Sequence, residues 1–343
     1  MPVNAIRLFE RGLVPDFLIR PALRSRIRRD LRRFYRAPLE KQRSYYNVFL
    51  WKMRRSSIAV HQEKANEQHY ELPPRFFELV LGSRLKYSAC YWSEDTATLD
   101  EAEERMLELT CERARLEDGM RVLDLGCGWG SLSTFVAERF PRCRVTALSN
   151  SGPQCEYIDR SAEARGLSNL ETVVADIGSF ATKRRFDRVL SVEMFEHMKN
   201  YDSLMAKIAG MLTEAGMLFV HLFSHREFPY EYTARGPDDW MAKHFFTGGN
   251  MPCADLLLNF QRDLKIRSHW RVDGTHYART LRAWLRNLDR NRAEVRGLMA
   301  RVYGEAEADL WLRRWRLFFL FCEENFGFRN GLEYFVSHYL FEK

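Results

Sequence analysis

Among 343 residues, 46% are hydrophobic and 13% aromatic, which is ample apolar surface for a large core and carries no sign of disorder. The formal charge of +7 suits an anionic partner. Seven cysteines (Cys90, Cys111, Cys127, Cys143, Cys155, Cys253 and Cys322) form no C-x-x-C pair, so neither a zinc ribbon nor a disulfide framework is indicated and a reducing, cytoplasmic compartment is expected.

The opening "MPVNAIRLFERGLVPDF" breaks its apolar stretch with charges and has no small-residue cleavage site, so a secretory signal is not expected. Residues 1 to about 75 alternate charged and apolar groups at helical spacing, which predicts an N-terminal helical extension. Within it, "RPALRSRIRRDLRRFYR" (20–36) carries eight arginines against one acid, Asp30. Such a segment suits an anionic membrane surface or nucleic acid, and a solvated helix face has the same pattern. Pro73 and Pro74 separate this region from the next element, and an amphipathic helix from Asp100 to Leu116 is predicted to close at Gly119.

Short apolar runs then alternate with helices: "MRVLDLG" (120–126), "CRVTALS" (143–149), "LETVVAD" (170–176), "FDRVLSV" (186–192) and "GMLFVHLFS" (216–224). That alternation predicts an α/β fold with a doubly wound, mostly parallel sheet, whose ligands sit at the carboxyl ends of the strands. Beyond Ser224 it stops. Two further strands, "LKIRSHWRV" (264–272) and "LEYFVSHYLFEK" (332–343), bring the count to seven, and the segments around them read as a helical lid. The expected division is a helical and cofactor-covering segment over 1–99, an α/β core over 100–224, and lid insertions with completing strands over 225–343. No run approaches the roughly 20 apolar residues of a membrane span.

"VLDLGCGWG" (122–130) is a buried strand ending in Asp124, followed by Gly126, Gly128 and Gly130 and a helix. Glycines permit a tight turn and close approach of a ligand to the backbone. The spacing is G-x-G-x-G, not the G-x-G-x-x-G of pyrophosphate-binding dehydrogenases, and the next strand ends in Leu148, Ser149 and Asn150 without a ribose-binding acid. A carboxylate so near the loop suits a ligand carrying an amino group, as S-adenosylmethionine (SAM) does. Asp176 and Ile177 at the end of the third strand are placed to meet its adenine.

With "LKYSACYW" (85–92), "ALSNSGPQ" (147–154) and "EMFEHM" (193–198), these motifs make the chain resemble SAM-dependent methyltransferases of the cyclopropane-fatty-acyl-phospholipid synthase type. "EMFEHMKNY", "DDWM" (238–241), "SHW" (268–270) and "NGLEYFVSHYLFEK" are similar to the coclaurine (tetrahydroisoquinoline) N-methyltransferase branch. The resemblance implies a class I methyltransferase fold, SAM as cofactor and no metal. It implies that Tyr87, Ser88 and the loop around Gly126 meet the amino-acid part of SAM. Ser149, Asn150 and Gln154 would hold the ribose, and Asp176 with Ile177 the adenine. Cyclopropane synthases hold a bicarbonate with a cysteine, a glutamate, a histidine and a tyrosine. Here those positions read Ala89, Glu196, His221 and Phe318, so two of four are lost, and Cys90 falls one place late. Cys322 would line the pocket.

Methyl transfer to an amine needs a free lone pair, hence a base and a carboxylate that attracts the cation. Glu196 and His197 are the expected pair; of Glu193, a substrate-pocket residue, and Glu196, one would hold the substrate cation while the other orients His197, and both carboxylates would raise the His197 pKa. A polar loop capping the next helix would also place Glu196 there. Trp240, Trp270, Phe245 and Phe246 form either an aromatic cage or ordinary core. His221 and His225 leave a strand and are not read as a metal pair. The implied substrate is a small aromatic amine or, alternatively, an unsaturated acyl chain of phospholipid. Peripheral membrane contact through Arg20 to Arg36 and a homodimer are compatible with the sequence, and nucleic acid is not expected.

Overall fold

The computed structural model describes residues 2–59, 72–234, 236 and 239–343; parts of the expected N-terminal extension (60–71) and of "DDWM" (Asp238) lie outside them. Seven strands form one sheet in the order β3-β2-β1-β4-β5-β9-β8. They are β1 (Arg121–Leu125), β2 (Arg144–Ser149), β3 (Leu170–Val174), β4 (Phe186–Val192), β5 (Leu212–His225), β8 (Lys265–Val272) and β9 (Tyr334–Glu342). β3, β2, β1, β4 and β5 are parallel, whereas β9 runs antiparallel to both β5 and β8. Val122, Leu123, Val189, Leu190, Leu218 and Phe219 are fully buried, as strands covered on both faces require. A small hairpin, β6 (Tyr230–Glu231) with β7 (Asn250–Met251), lies apart from the sheet.

The extension forms α1 (Pro2–Glu10), α2 (Asp16–Tyr35) and α3 (Leu39–Arg55), and α4 (Pro74–Val80) follows the two prolines. α2 buries Ile19, Leu23, Ile27 and Leu31, a strict four-residue stripe. Part of its arginine run is spent inside the molecule: Arg20 donates to Glu323 and Glu324, each at 2.7 Å, and Arg24 to Glu324. Arg28, Arg32 and Arg36 stay exposed.

α5 (Leu99–Arg113) starts at a capping box between Thr98 and Glu101. It stops earlier than its apolar pattern suggests, because Arg115 takes a left-handed conformation (φ 52°) and turns the chain before Gly119 is reached. Fully buried Glu103 on this helix accepts from the N–H groups of Gly82 (2.9 Å), Arg84 (2.8 Å) and Lys86 (3.3 Å). It thereby pins the segment that continues into Tyr87 and Ser88.

α6 (Ser131–Arg139), α7 (Gly152–Arg165) and α8 (Tyr201–Met211) complete the crossovers between strands. α9 (Trp240–His244), α10 (Gly274–Arg290), α11 (Arg292–Tyr303) and α12 (Ala308–Phe326) supply the helices of the later insertions. α10 and α12 pack together through Leu281, Trp284, Trp315 and Phe319. No described helix is long and apolar enough to cross a membrane.

Candidate active site

Two cavities meet at the carboxyl edge of the sheet. The first is lined by the loop after β1, the ends of β2 and β3, and the Leu85–Ser88 segment. Gly126 and Gly128 turn the loop at φ 83° and 52°, and the N–H groups of Gly126 and Cys127 bond the Leu148 carbonyl at 2.9 and 3.1 Å. Gly130 is different: it caps α6, and a Cβ there would stand 2.6 Å from Ile158 Cγ1, so close packing of α6 on α7 is what needs it. It does not line the cavity.

Asp124, Ser149, Gln154, Asp176 and Ile177 line this cavity, and Tyr87, Ser88 and Asn150 complete it. Burial pushes the Asp124 carboxyl up to about 6, opposed by a hydrogen bond from Ser133. The Ser149 hydroxyl donates to Gln154 Oε1 at 2.9 Å, and Asp176 Oδ1 accepts the Gly178 N–H at 2.6 Å. Among the described residues, Ser131 Oγ, Gln154 Nε2, Asp176 Oδ2, Thr110 Oγ1 and Trp129 Nε1 are buried without a hydrogen-bond partner. All five residues line the cavity. Orphaned buried polar atoms are costly, so this set fits a polar ligand with both donors and acceptors, as SAM is. Thr110 and Ser131 carry no motif signal of their own, whereas Trp129 lies within "VLDLGCGWG" and Lys86, a further lining residue, within "LKYSACYW".

The second cavity is aromatic. Phe223, Tyr232, Phe246, Tyr277, Trp284 and Phe318 line it, together with Cys322. Three residues belong to both cavities: Tyr87, Glu193 and His197.

Glu193 sits immediately past β4 in a left-handed conformation, φ 49°, unusual for a residue with a side chain. Its N–H bonds the His221 carbonyl at 2.8 Å. Its Oε1 accepts from the Ala89 N–H (2.9 Å) and faces His221 Nε2 (3.2 Å), and its Oε2 accepts from the Tyr277 hydroxyl (2.7 Å). Burial raises its pKa, opposed by the Lys86 charge and these donors.

The turn Phe195–His197 then separates its two ionisable groups. Glu196 is fully buried, lines neither cavity, and accepts the Phe223 N–H at 2.8 Å. Burial and the neighbouring Glu193 charge push it well above the usual carboxylate range. The expected pairing of Glu196 with His197 at the substrate is therefore corrected: the carboxylate that accompanies His197 in both cavities is Glu193. The expected rise of the His197 pKa is corrected as well. Burial outweighs the Glu193 charge and lowers it to about 4.

Other expectations also change place. His221 lines neither cavity and meets the site through Glu193. Trp240 is buried against the N-terminal helices, its Nε1 donating to Glu10 at 3.0 Å. Phe245 stacks behind Phe318, with centroids 4.6 Å apart, and Trp270 lies on β8 beneath Arg113. Of the four lid aromatics only Phe246 lines the cavity. Cys90 is buried, its thiol directed to the Ser88 carbonyl.

A seven-stranded sheet of this order, with a glycine loop after its first strand and orphaned polar groups at the edge, defines a SAM-dependent methyltransferase. The chain belongs to the family described as mycolic acid cyclopropane synthetase, which matches residues 58–334. It is 40% identical to (S)-coclaurine N-methyltransferase of Thalictrum flavum subsp. glaucum, over 99% of this chain and 96% of that one. It is 34% identical to pavine N-methyltransferase of the same plant, over 99% and 96%. The crystal structure of coclaurine N-methyltransferase bound to N-methylheliamine and SAH matches it with a TM-score of 0.95 at 40% identity, over 99% of both chains. SAM is the cofactor.

Proposed function

We propose that the chain methylates the nitrogen of a small aromatic amine of the benzylisoquinoline type. The observation that carries this reading is that Glu193, His197 and Tyr87 line both the cofactor cavity and the aromatic one. The relatives named above support it, being N-methyltransferases of such amines by name.

When bound, SAM supplies a methyl group on a sulfonium, a leaving group that needs no acid. The chain's own residues prepare the amine. Aromatic walls hold its rings, and the Glu193 carboxylate attracts the ammonium and takes its proton, since burial raises its pKa and with it its strength as a base. His197, neutral because burial lowers its pKa, presents a lone pair to an amine N–H without repelling the cation. The nitrogen lone pair then forms the new N–C bond as the C–S bond breaks.

The test is mass spectrometry after incubation with methyl-labelled SAM, tetrahydroisoquinoline amines and phospholipid. Label on the amine nitrogen is expected; label confined to acyl chains overturns the reading. Peripheral contact with an anionic membrane is a separate proposal, resting on exposed Arg28, Arg32 and Arg36. Salt-sensitive sedimentation with anionic vesicles tests it.

A further inference from the structure

Behind Glu193 a line of buried polar side chains crosses the sheet. His221 on β5 and His338 on β9 are register partners, and Trp270 on β8 pairs with His338 in turn. His338 Nε2 lies 3.0 Å from His221 Nδ1, and the Arg113 guanidinium lies 2.7 Å from His338 Nδ1. Arg113 ends α5 and rests on the Trp270 ring, 5.1 Å from its centroid. Both histidines are fully buried, and neither touches a cavity.

We propose that Arg113 and His338 are positioning residues for the methyl transfer, which set the direction of a hydrogen-bond chain that ends on Glu193. A guanidinium only donates, so His338 Nδ1 must accept. A neutral His338 then carries its hydrogen on Nε2 and donates to His221 Nδ1. His221 in turn carries its hydrogen on Nε2 and donates to Glu193 Oε1. Reversing any link would turn a lone pair toward the carboxylate. With the chain so directed, Glu193 receives the Ala89 N–H, the Tyr277 hydroxyl and the His221 N–H, three donors that favour its ionised form against the rise that burial imposes.

The surroundings agree with this direction. Burial and the nearby Lys86 and Arg113 charges hold both imidazoles well below their ordinary range, so neither becomes a second donor to its neighbour. Glu193 is faced by Lys86 from the segment before α5, by Glu196 and His197 from the turn, by His221 from β5, by Tyr277 from α10 and by Cys322 from α12. His269 on β8 also faces His338.

The role assigned to Glu193 rests on the amine reading, whereas the direction of the chain does not, and two measurements separate them. Nitrogen-15 NMR of the full chain reads the tautomers without substrate: Nε2–H on both His221 and His338 near neutral pH is expected, and Nδ1–H on either overturns the proposal. In kinetics, Arg113→Met keeps an aliphatic cover on Trp270 and removes the donor. The acid limb of its kcat/KM profile for a tetrahydroisoquinoline is expected about one pH unit higher, with KM for the amine up roughly five-fold and KM for SAM unchanged. Arg113→Lys, which keeps a donor-only cation, is expected to recover most of that shift. An Arg113→Met protein that binds SAM and keeps the original acid limb overturns the proposal. Failure of the unaltered protein to methylate any amine, with Nε2–H on both rings, counts against the amine reading and for the chain's direction.

Discussion

The Tyr277 hydroxyl donates to Glu193 Oε2 at 2.7 Å, although 84 residues separate the two in sequence. Tyr277 lines the aromatic cavity and not the cofactor cavity, while Glu193 lines both. A hydrogen bond to a buried charged group contributes about 1.5–3 kcal/mol. Tyr277→Phe is therefore expected to lower kcat/KM for the amine roughly ten- to a hundred-fold and to leave SAM affinity unchanged by calorimetry. Equal losses in both would place Tyr277 in general packing instead.

The two glutamates of "EMFEHM" are expected to behave oppositely. Glu193→Gln removes the charge facing the amine and should cost turnover about a hundred-fold or more. Burial and the Glu193 charge favour the protonated form of Glu196, which the amide of Glu196→Gln imitates, so that variant should stay within a few-fold of the unaltered enzyme. Glu196→Ala takes the partner from the part-buried Phe223 N–H, at a cost of about 1–3 kcal/mol in stability. Turnover and thermal melts of the three variants check this, and a Glu196→Gln protein as inactive as Glu193→Gln would return Glu196 to the chemistry.

The sheet was legible because a parallel strand is a continuous apolar run, and each of these runs stops at polar residues or glycine, as "VLDLG", "TALSN" and "VVAD" do. Asp124, Ser149 and Asp176 could be read as candidates for the same reason, since all three sit where a strand stops, whereas Thr110 and Ser131, which line the same cavity, lie on helices and gave no such signal. The facing direction of Glu193 and Glu196 was not. It depends on the left-handed conformation of Glu193, which sends the chain into a tight turn and swings Glu196 back against β5. Tyr277 and Arg113 were invisible too, because each reaches the site from a helix whose local pattern is only amphipathic. Trp240 and Phe245 lie where core packing and a pocket wall have the same composition, and only the tertiary fold separates them.

Gly126 carries a specific packing demand. A Cβ there would stand 2.7 Å from Met194 Cγ, on the residue that follows Glu193, and φ of 83° disfavours any side chain. Gly126→Ala is expected to weaken SAM binding at least ten-fold, since both the loop and the turn after β4 must shift. Gly166, also left-handed but with nothing within 4 Å of its Cβ, is the control: Gly166→Ala should cost only about 1 kcal/mol in stability and nothing in affinity. Calorimetry of SAM binding on both variants distinguishes the cavity loop from an ordinary helix cap, and equal affinities would remove the special role of Gly126.

Stability should also carry the signature of His197. Its folded pKa, lowered to about 4, lies beneath the ordinary 6.5, so below 6.5 the unfolded chain takes a proton that the folded chain refuses. The neutral, part-buried ring therefore contributes its full share above pH 6.5 and loses it as the pH falls toward 4, on the order of 3 kcal/mol at most. Glu193 and Glu196 work in the other direction, because a raised carboxylate binds its proton more readily in the folded chain and gains stability on acidification. The total pH dependence mixes these signs, and a single substitution isolates one of them. Denaturant unfolding of the unaltered protein and of His197→Asn should give curves whose difference changes between pH 6.5 and 4 and is flat above 7. A difference that is flat throughout would mean that His197 titrates in the folded protein as it does in the unfolded chain, and with that the neutral lone pair offered to the amine would lose its basis.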